Sequence, residues 1–214
     1  MSDVSRSEVR PEYAALARAL IARLDAAHAL GTRVRPVIGV AGESGSGKSA
    51  TAATLARELT AAQRPAIVLH QDDYFHLPPR TNHAARERDI AHVGPGEVDL
   101  ARLEGVIAAF RDGRDGVEAP SVDYAGDRFD VRRLDFADAA VLVVEGTYVL
   151  QLGGLDVRVF LEASYRDTRA RRVARARDVD SPFVERVLEI EHAIIARQRG
   201  VADVVIDAGF GLSS

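Results

Sequence analysis

The sequence predicts an α/β protein in three layers: a five-stranded parallel sheet with helices on both of its faces, and a helical lid. Three observations predict it. Five short apolar runs read as buried strands: Val37-Ile38-Gly39-Val40-Ala41, Ala66-Ile67-Val68-Leu69, Val141-Leu142-Val143-Val144, Val157-Arg158-Val159-Phe160-Leu161 and residues 202–206. Stretches with helical periodicity separate most of them, as parallel crossovers require. Between the first strand and the first of those helices stands Gly42-Glu43-Ser44-Gly45-Ser46-Gly47-Lys48-Ser49, which fits the pattern G-x-x-x-x-G-K-[ST].

At 214 residues the chain has room for one α/β domain and is short for two. The expected division is a tail and accessory helix over residues 1–35 and one globular domain over residues 36–214. A formal net charge of −4 offers no global basic field for nucleic acid. The absence of cysteine excludes disulfides, thiolate metal sites and cysteine nucleophiles. Residues 1–11 are polar, so no leader is expected there, and no apolar run approaches the length of a membrane span. A cytoplasmic enzyme is the expectation.

Taken in order, residues 12–30 carry Tyr13, Leu16, Leu20, Ile21 and Leu24 at helical spacing, with Gly31 placed to stop the helix. The first strand, the glycine-rich loop and a helix from Lys48 to about Thr60 follow, and Arg64-Pro65 ends that helix. The second strand runs into Gln71-Asp72-Asp73-Tyr74-Phe75, placing two acids at a strand's carboxyl end, the edge where parallel α/β sheets bind ligands. Residues 76–98 lack periodicity and read as a long loop with one short helix. Asp99 caps a helix bearing Leu100, Leu103, Val106, Ile107 and Phe110, which ends at Gly113 and Gly116. Residues 117–136 read as a short ribbon or loop near the site. Glu145-Gly146 ends the strand at 141–144, six arginines crowd residues 166–177, and Ser181-Pro182 opens a helix with Phe183, Val187, Leu188, Ile190 and Ile194.

The loop pattern carries a specific chemistry. Glycines let successive backbone N–H groups turn into one concavity that suits triphosphate oxygens, so Gly42, Ser44, Gly45, Ser46, Gly47, Lys48, Ser49 and Ala50 are the candidate nucleotide contacts. Lys48 would neutralise the β- and γ-phosphates, and Ser49 would offer its hydroxyl to Mg²⁺. Among 28 basic residues Lys48 is the one lysine, a slim ammonium where a backbone nest has no room for a guanidinium.

Asp72, Asp73 and Glu145 follow strands that should end beside the loop. Asp72 is the candidate general base and Ser49, Asp72 and Glu145 the candidate metal partners, while Asp73 reads rather as a cap. Arg169, Arg172 and Arg175 recur every three residues and could line a lid that covers the transferred charge. Four histidines, His70, His76, His83 and His92, fall within residues 70–92 without the spacing of a metal site.

These motifs, in this order, resemble the uridine kinase and phosphoribulokinase family of P-loop kinases over roughly residues 36–207. The resemblance rests on residues 42–49, on Gln71-Asp72-Asp73-Tyr74-Phe75, on Pro120 with Asp123-Tyr124, on Val144-Glu145-Gly146, on Asp167-Thr168-Arg169 leading to Arg171-Arg172, and on Ala202-Asp203-Val204-Val205-Ile206. It implies a P-loop NTPase-type fold and transfer of the γ-phosphoryl group of ATP, with Mg²⁺, to a small-molecule hydroxyl with Asp72 as base. Uridine or cytidine is the acceptor the family implies. The departures concern that acceptor: His92-Val93-Gly94-Pro95 stands where the family usually has an aromatic-Asp-His-Pro segment, Val122-Asp123-Tyr124 lacks the following histidine, and the Glu-Arg-Gly-Arg lid segment is missing. They suggest as the alternative a sugar, polyol or pantothenate-like acceptor; for either, Asp72, Tyr74, His92, Asp123, Tyr124, Asp127 and Arg128 are the candidate contacts.

A nucleotide-dependent regulator without an acceptor is the competing class. Its GTPase form needs Asn-Lys-x-Asp, which a chain whose one lysine is Lys48 cannot contain.

Overall fold

The computed structural model describes residues 11–27, 35–174 and 181–213. Its central sheet is built from β1 (Val37–Gly42), β2 (Ala66–His70), β5 (Val141–Gly146), β6 (Val157–Leu161), β7 (Val204–Ile206) and β8 (Leu212–Ser213), in the order β2-β5-β1-β6-β7-β8. The first five in that order are parallel, and β8 adds an antiparallel edge to β7. The sequence reading expects five strands. The sixth is two residues long, too short to show any periodicity, and exists because residues 207–211 turn the chain back along β7.

β1 and β5 are buried along their whole length because the sheet is covered on both faces. On one face α1 (Pro11–Ala26) and α2 (Lys48–Ala61) bury Leu16, Leu20, Leu24, Leu55 and Leu59 against Ile38, Val40, Val143, Val159 and Ile206. On the other face α4 (Leu100–Arg111) brings Leu103, Val106, Ile107 and Phe110 to Val37, Leu142 and Val144, together with Phe136, Tyr148, Leu150 and Ile195 of α6 (Pro182–Ile195). Two expected caps form: Asp99 accepts from the Arg102 N–H at 2.9 Å, and the Ser181 hydroxyl accepts from the Val184 N–H at 3.2 Å. The expected stop at Gly31 lies outside the described residues.

Residues 76–98 are more ordered than an aperiodic sequence indicates. They hold α3 (Pro79–Arg88) and two short 3₁₀ turns. No side chain at α3's own N-cap closes the helix, so the cap comes from elsewhere. Asp127 accepts from the N–H groups of Arg80 and Thr81 at 2.6 and 3.2 Å. Asp127 lies in the turn between β3 (Val117–Asp123) and β4 (Arg128–Leu134), an antiparallel hairpin separate from the main sheet. α5 (Arg169–Ala174) begins the arginine-rich segment, and Arg175 lies outside the described residues. Among the described residues no helix is long and apolar enough to cross a membrane.

What the fold does for the site is set by register. Glu145 pairs with Val40 on one side and His70 on the other, and Gly42 pairs with Leu161. The carboxyl ends of β1, β2 and β5 therefore finish side by side, with the glycine-rich loop leaving β1 between strands whose connections diverge.

Candidate functional site

The loop at residues 42–49 forms the cradle its composition calls for. Gly45 and Gly47 sit at φ +76° and +101°, a region that disfavours any side chain. A Cβ at Gly45 would come within 2.8 Å of the Arg172 side chain, and one at Gly47 within 2.7 Å of the Tyr13 hydroxyl. α2 starts at Lys48 with no side-chain cap, leaving the N–H groups of its first turn to an anion. The Ser46 hydroxyl is buried without a partner, an orphaned polar atom inside the same cradle. These features fit a bound triphosphate.

Two braces hold the loop from outside. Glu43 is buried, and one of its oxygens accepts from the Tyr165 N–H at 2.7 Å while the other lies 2.6 Å from His192 Nδ1 on α6. The Thr168 hydroxyl donates to the Ser44 carbonyl at 2.9 Å, and Arg172, buried, donates to the Tyr165 carbonyl at 3.1 Å. The base of the arginine segment is thus fastened to the phosphate loop. Arg169 lies on the same segment, 4.0 Å from Glu185, which Arg172 also approaches at 3.8 Å.

Beside the loop stand the carboxylates. Glu145 is buried, and burial pushes its pKa up. The hydrogen bond with His70 at 2.6 Å, the Lys48 charge and a hydrogen bond from Ser49 outweigh that and hold it below the usual range. His70 is pushed up in return, chiefly by that hydrogen bond, with burial opposing. Asp72 sits in the 3₁₀ turn Gln71–Tyr74 and is open to solvent on one side. Protein crowds its carboxyl on the other, and this desolvation, with Glu145 nearby, raises its pKa against the pull of Lys48.

The two neighbouring aspartates have different surroundings. Asp73 is buried, and both of its oxygens are occupied, by the Val122 N–H at 2.9 Å and by Arg132 at 3.2 Å. It anchors the hairpin. Asp72 faces the cleft, and the Tyr124 hydroxyl reaches it at 3.4 Å.

The acceptor candidates divide in the same way. Tyr124 meets Asp72, and His92 Nε2 lies 3.1 Å from the Asn82 side-chain oxygen in the wall formed by α3. Tyr74 instead points into the core among Val98, Leu103 and Val106. Asp123 accepts from the N–H groups of Ala125 and Gly126 to shape the hairpin turn, Arg128 pairs with Asp123 and Asp130 on its exposed side, and Asp127 caps α3. A depression of about 620 Å³, lined by Arg80, Thr81, Ala84, Glu87, Arg88 and Asp127, includes none of the residues around Lys48.

Sequence reasoning missed Tyr13, Glu43, His192, Arg86, Glu97 and Glu191. Glu43 occupies a variable position of the loop pattern, and the others lie on helices whose local pattern announces packing or solvent. The buried charge of Glu97 gives no sign in a segment without periodicity.

The model of the phosphoribulokinase / uridine kinase family matches residues 37–208. The chain belongs to this family of P-loop kinases. It is 33% identical over 186 residues to a bifunctional α-galactosidase/sucrose kinase from Mediterraneibacter gnavus, a match covering 80% of this chain and 20% of that much longer protein. It is 24% identical to a uridine kinase from Macrococcus caseolyticus over 81% of this chain and 88% of that one. Among solved structures, a candidate fructose transport system kinase from Silicibacter sp. TM1040 superposes with TM-score 0.62 at 25% identity, covering 88% of this chain and 93% of that one. Phosphoribulokinase from Rhodobacter spheroides shares the fold, with TM-score 0.62 at 18% identity over 81% of this chain and 70% of that one. The three-layer P-loop kinase fold follows, and a nucleotide substrate with it.

Proposed function

We propose that this kinase moves the γ-phosphoryl group of ATP to a hydroxyl of a small molecule, with Asp72 as the base. The observation that supports this reading best is the pairing of an open Asp72, its pKa raised, with Lys48 at the foot of a braced phosphate cradle. The acceptor O–H gives its proton to the Asp72 carboxylate. Its oxygen bonds to the γ-phosphorus as the bond from that phosphorus to the β–γ bridging oxygen breaks, and ADP leaves. An aspartate pushed toward higher pKa is the better proton acceptor for this step. Lys48 takes up charge on the phosphates, and Arg172 and Arg169 stand on the segment fastened to the loop, where a closing lid would bring cations to the moving group. Mg²⁺, when bound, would neutralise charge on the triphosphate, and Ser49, Glu145 and Asp72 are the residues that would hold it, directly or through its waters.

For the acceptor we favour a carbohydrate. The relative at 33% identity is named for sucrose, and this chain lacks the motifs by which the family holds a nucleoside. Uridine or cytidine is the second reading, carried by the relatives named as uridine kinases. ADP release measured against a panel of nucleosides, sugars, polyols and pantothenate decides between them. Stimulation by sugars over basal hydrolysis is expected, whereas stimulation by uridine alone would reverse the order, and none by any hydroxyl compound would leave an ATP-dependent regulator.

A further inference from the structure

The accessory helix reaches the phosphate loop through one side chain. Tyr13, in the first turn of α1, is 9% exposed, and its hydroxyl stands so close over Gly47 that a Cβ there would lie 2.7 Å from it. The three atoms nearest to that position all belong to Tyr13, so the phenol fills this face of Gly47. The other residues that α1 buries are apolar: Leu16, Ala17, Leu20, Ile21 and Leu24. A phenylalanine would cover the same area as Tyr13, whereas the hydroxyl adds a polar group that is costly to bury unless it finds a partner. Among the described residues it makes no hydrogen bond. Phe210 meets the ring edge-on, with centroids 4.8 Å apart. Phe210 itself stands at φ +65°, a strained conformation for a bulky side chain. Its turn keeps it there: the Phe210 N–H donates to the Asp207 carbonyl at 3.0 Å, and the Asp207 carboxylate accepts from the N–H groups of Gly209 and Gly211, both at 2.8 Å. Backbone strain held by surrounding bonds in this way gathers at ligand sites. Tyr13 and Phe210 both lie outside the residues 37–208 that match the family.

Gly47 is the N-cap of α2 and stands immediately before Lys48. The first N–H groups of α2 have no side-chain cap, so an anion seated on them lies beside Gly47 and within reach of the phenol above it. We infer that Tyr13 is a further contact of the donor nucleotide, its O–H donating to a phosphate oxygen of the triphosphate in the cradle. A neutral donor against a charged oxygen makes a strong hydrogen bond, and the edge of Phe210 fixes the ring beforehand, so little side-chain freedom is lost on binding. This rests on the nucleotide-binding part of the reading above and extends it: a helix ahead of the family's matched residues takes part in holding ATP.

The test compares the full chain with its Tyr13→Phe and Tyr13→Ala variants, reading ATP binding in the presence of Mg²⁺ by titration calorimetry and stability by urea unfolding. Tyr13→Phe keeps the ring and its contact with Phe210, so the urea midpoint should stay where it is while Kd for ATP rises roughly ten- to hundredfold. Inorganic tripolyphosphate, which carries the phosphates without base or sugar, should lose the same factor when it competes with ATP. Tyr13→Ala should weaken ATP binding at least as much. A Tyr13→Phe protein that binds ATP as well as the parent chain would overturn the inference and leave the phenol a packing group. One that binds ATP more tightly would overturn it too, making the phenol a plug in the cradle. A loss seen with ATP and not with tripolyphosphate would contradict the phosphate contact by moving it to the base or sugar. If the parent chain binds neither ATP nor tripolyphosphate, the nucleotide reading falls and this inference falls with it.

Discussion

The two halves of the site are built in opposite ways. The proposed donor half is one continuous stretch, residues 42–49, in which backbone geometry would do the recognising and side chains brace the loop. In the proposed scheme the acceptor half is assembled from the turn at residues 71–74, α3, residues 92–97 and the β3–β4 hairpin, and side chains would carry its recognition. A backbone nest tolerates exchange of most of its side chains and keeps binding phosphate. A network of buried side chains changes its ligand when one member changes. One family can therefore keep its donor chemistry while its members differ in acceptor, as relatives named for sucrose and for uridine illustrate.

Four substitutions press on that contrast. The largest effect is expected at the meeting point: Asp72→Asn should lower kcat by roughly 10²–10⁴-fold while ATP affinity, read by titration calorimetry, moves only a few fold. Loss of ATP binding in that variant would make Asp72 chiefly a metal ligand and merge the two halves. Lys48→Ala should cost roughly 10²–10³-fold in turnover and weaken ATP binding as well, because Lys48 belongs to the donor half; unchanged kinetics would sink the whole scheme. Glu97→Ala should destabilise the fold by about 3–5 kcal/mol in urea unfolding, since it leaves Arg86 short of its main buried partner. A loss below about 1 kcal/mol would mean that water already reaches the pair. His192→Ala should raise KM for ATP by roughly two- to tenfold through a loosened Glu43, with the acceptor KM little changed. A larger rise in the acceptor KM would place α6 wholly in the acceptor half.

The same contrast explains what could be read from the sequence. The parallel strands are legible because runs buried on both faces are apolar throughout, as in β1 and β5. The phosphate loop is legible because its glycines and lysine are contiguous. Asp72 and Glu145 are legible as acids that end strands. By contrast, Arg86, Glu97 and Glu191 become neighbours only when α3, a 3₁₀ turn and α6 converge, and nothing local in any of the three marks the meeting. Asp127 shows the cost of reading composition alone: a polar residue in a loop looks like an acceptor contact, and the fold uses it to cap α3 across the hairpin. Tyr74 shows the complementary case, a tyrosine beside two acids whose ring is core.

The most direct measurement follows the label of γ-³²P-ATP incubated with the full chain, Mg²⁺ and the carbohydrate panel, with products separated chromatographically. Label should appear in a phosphorylated hydroxyl compound, and its formation should vanish with Asp72→Asn. Label found in inorganic phosphate alone, at a rate indifferent to every hydroxyl compound added, would contradict the account.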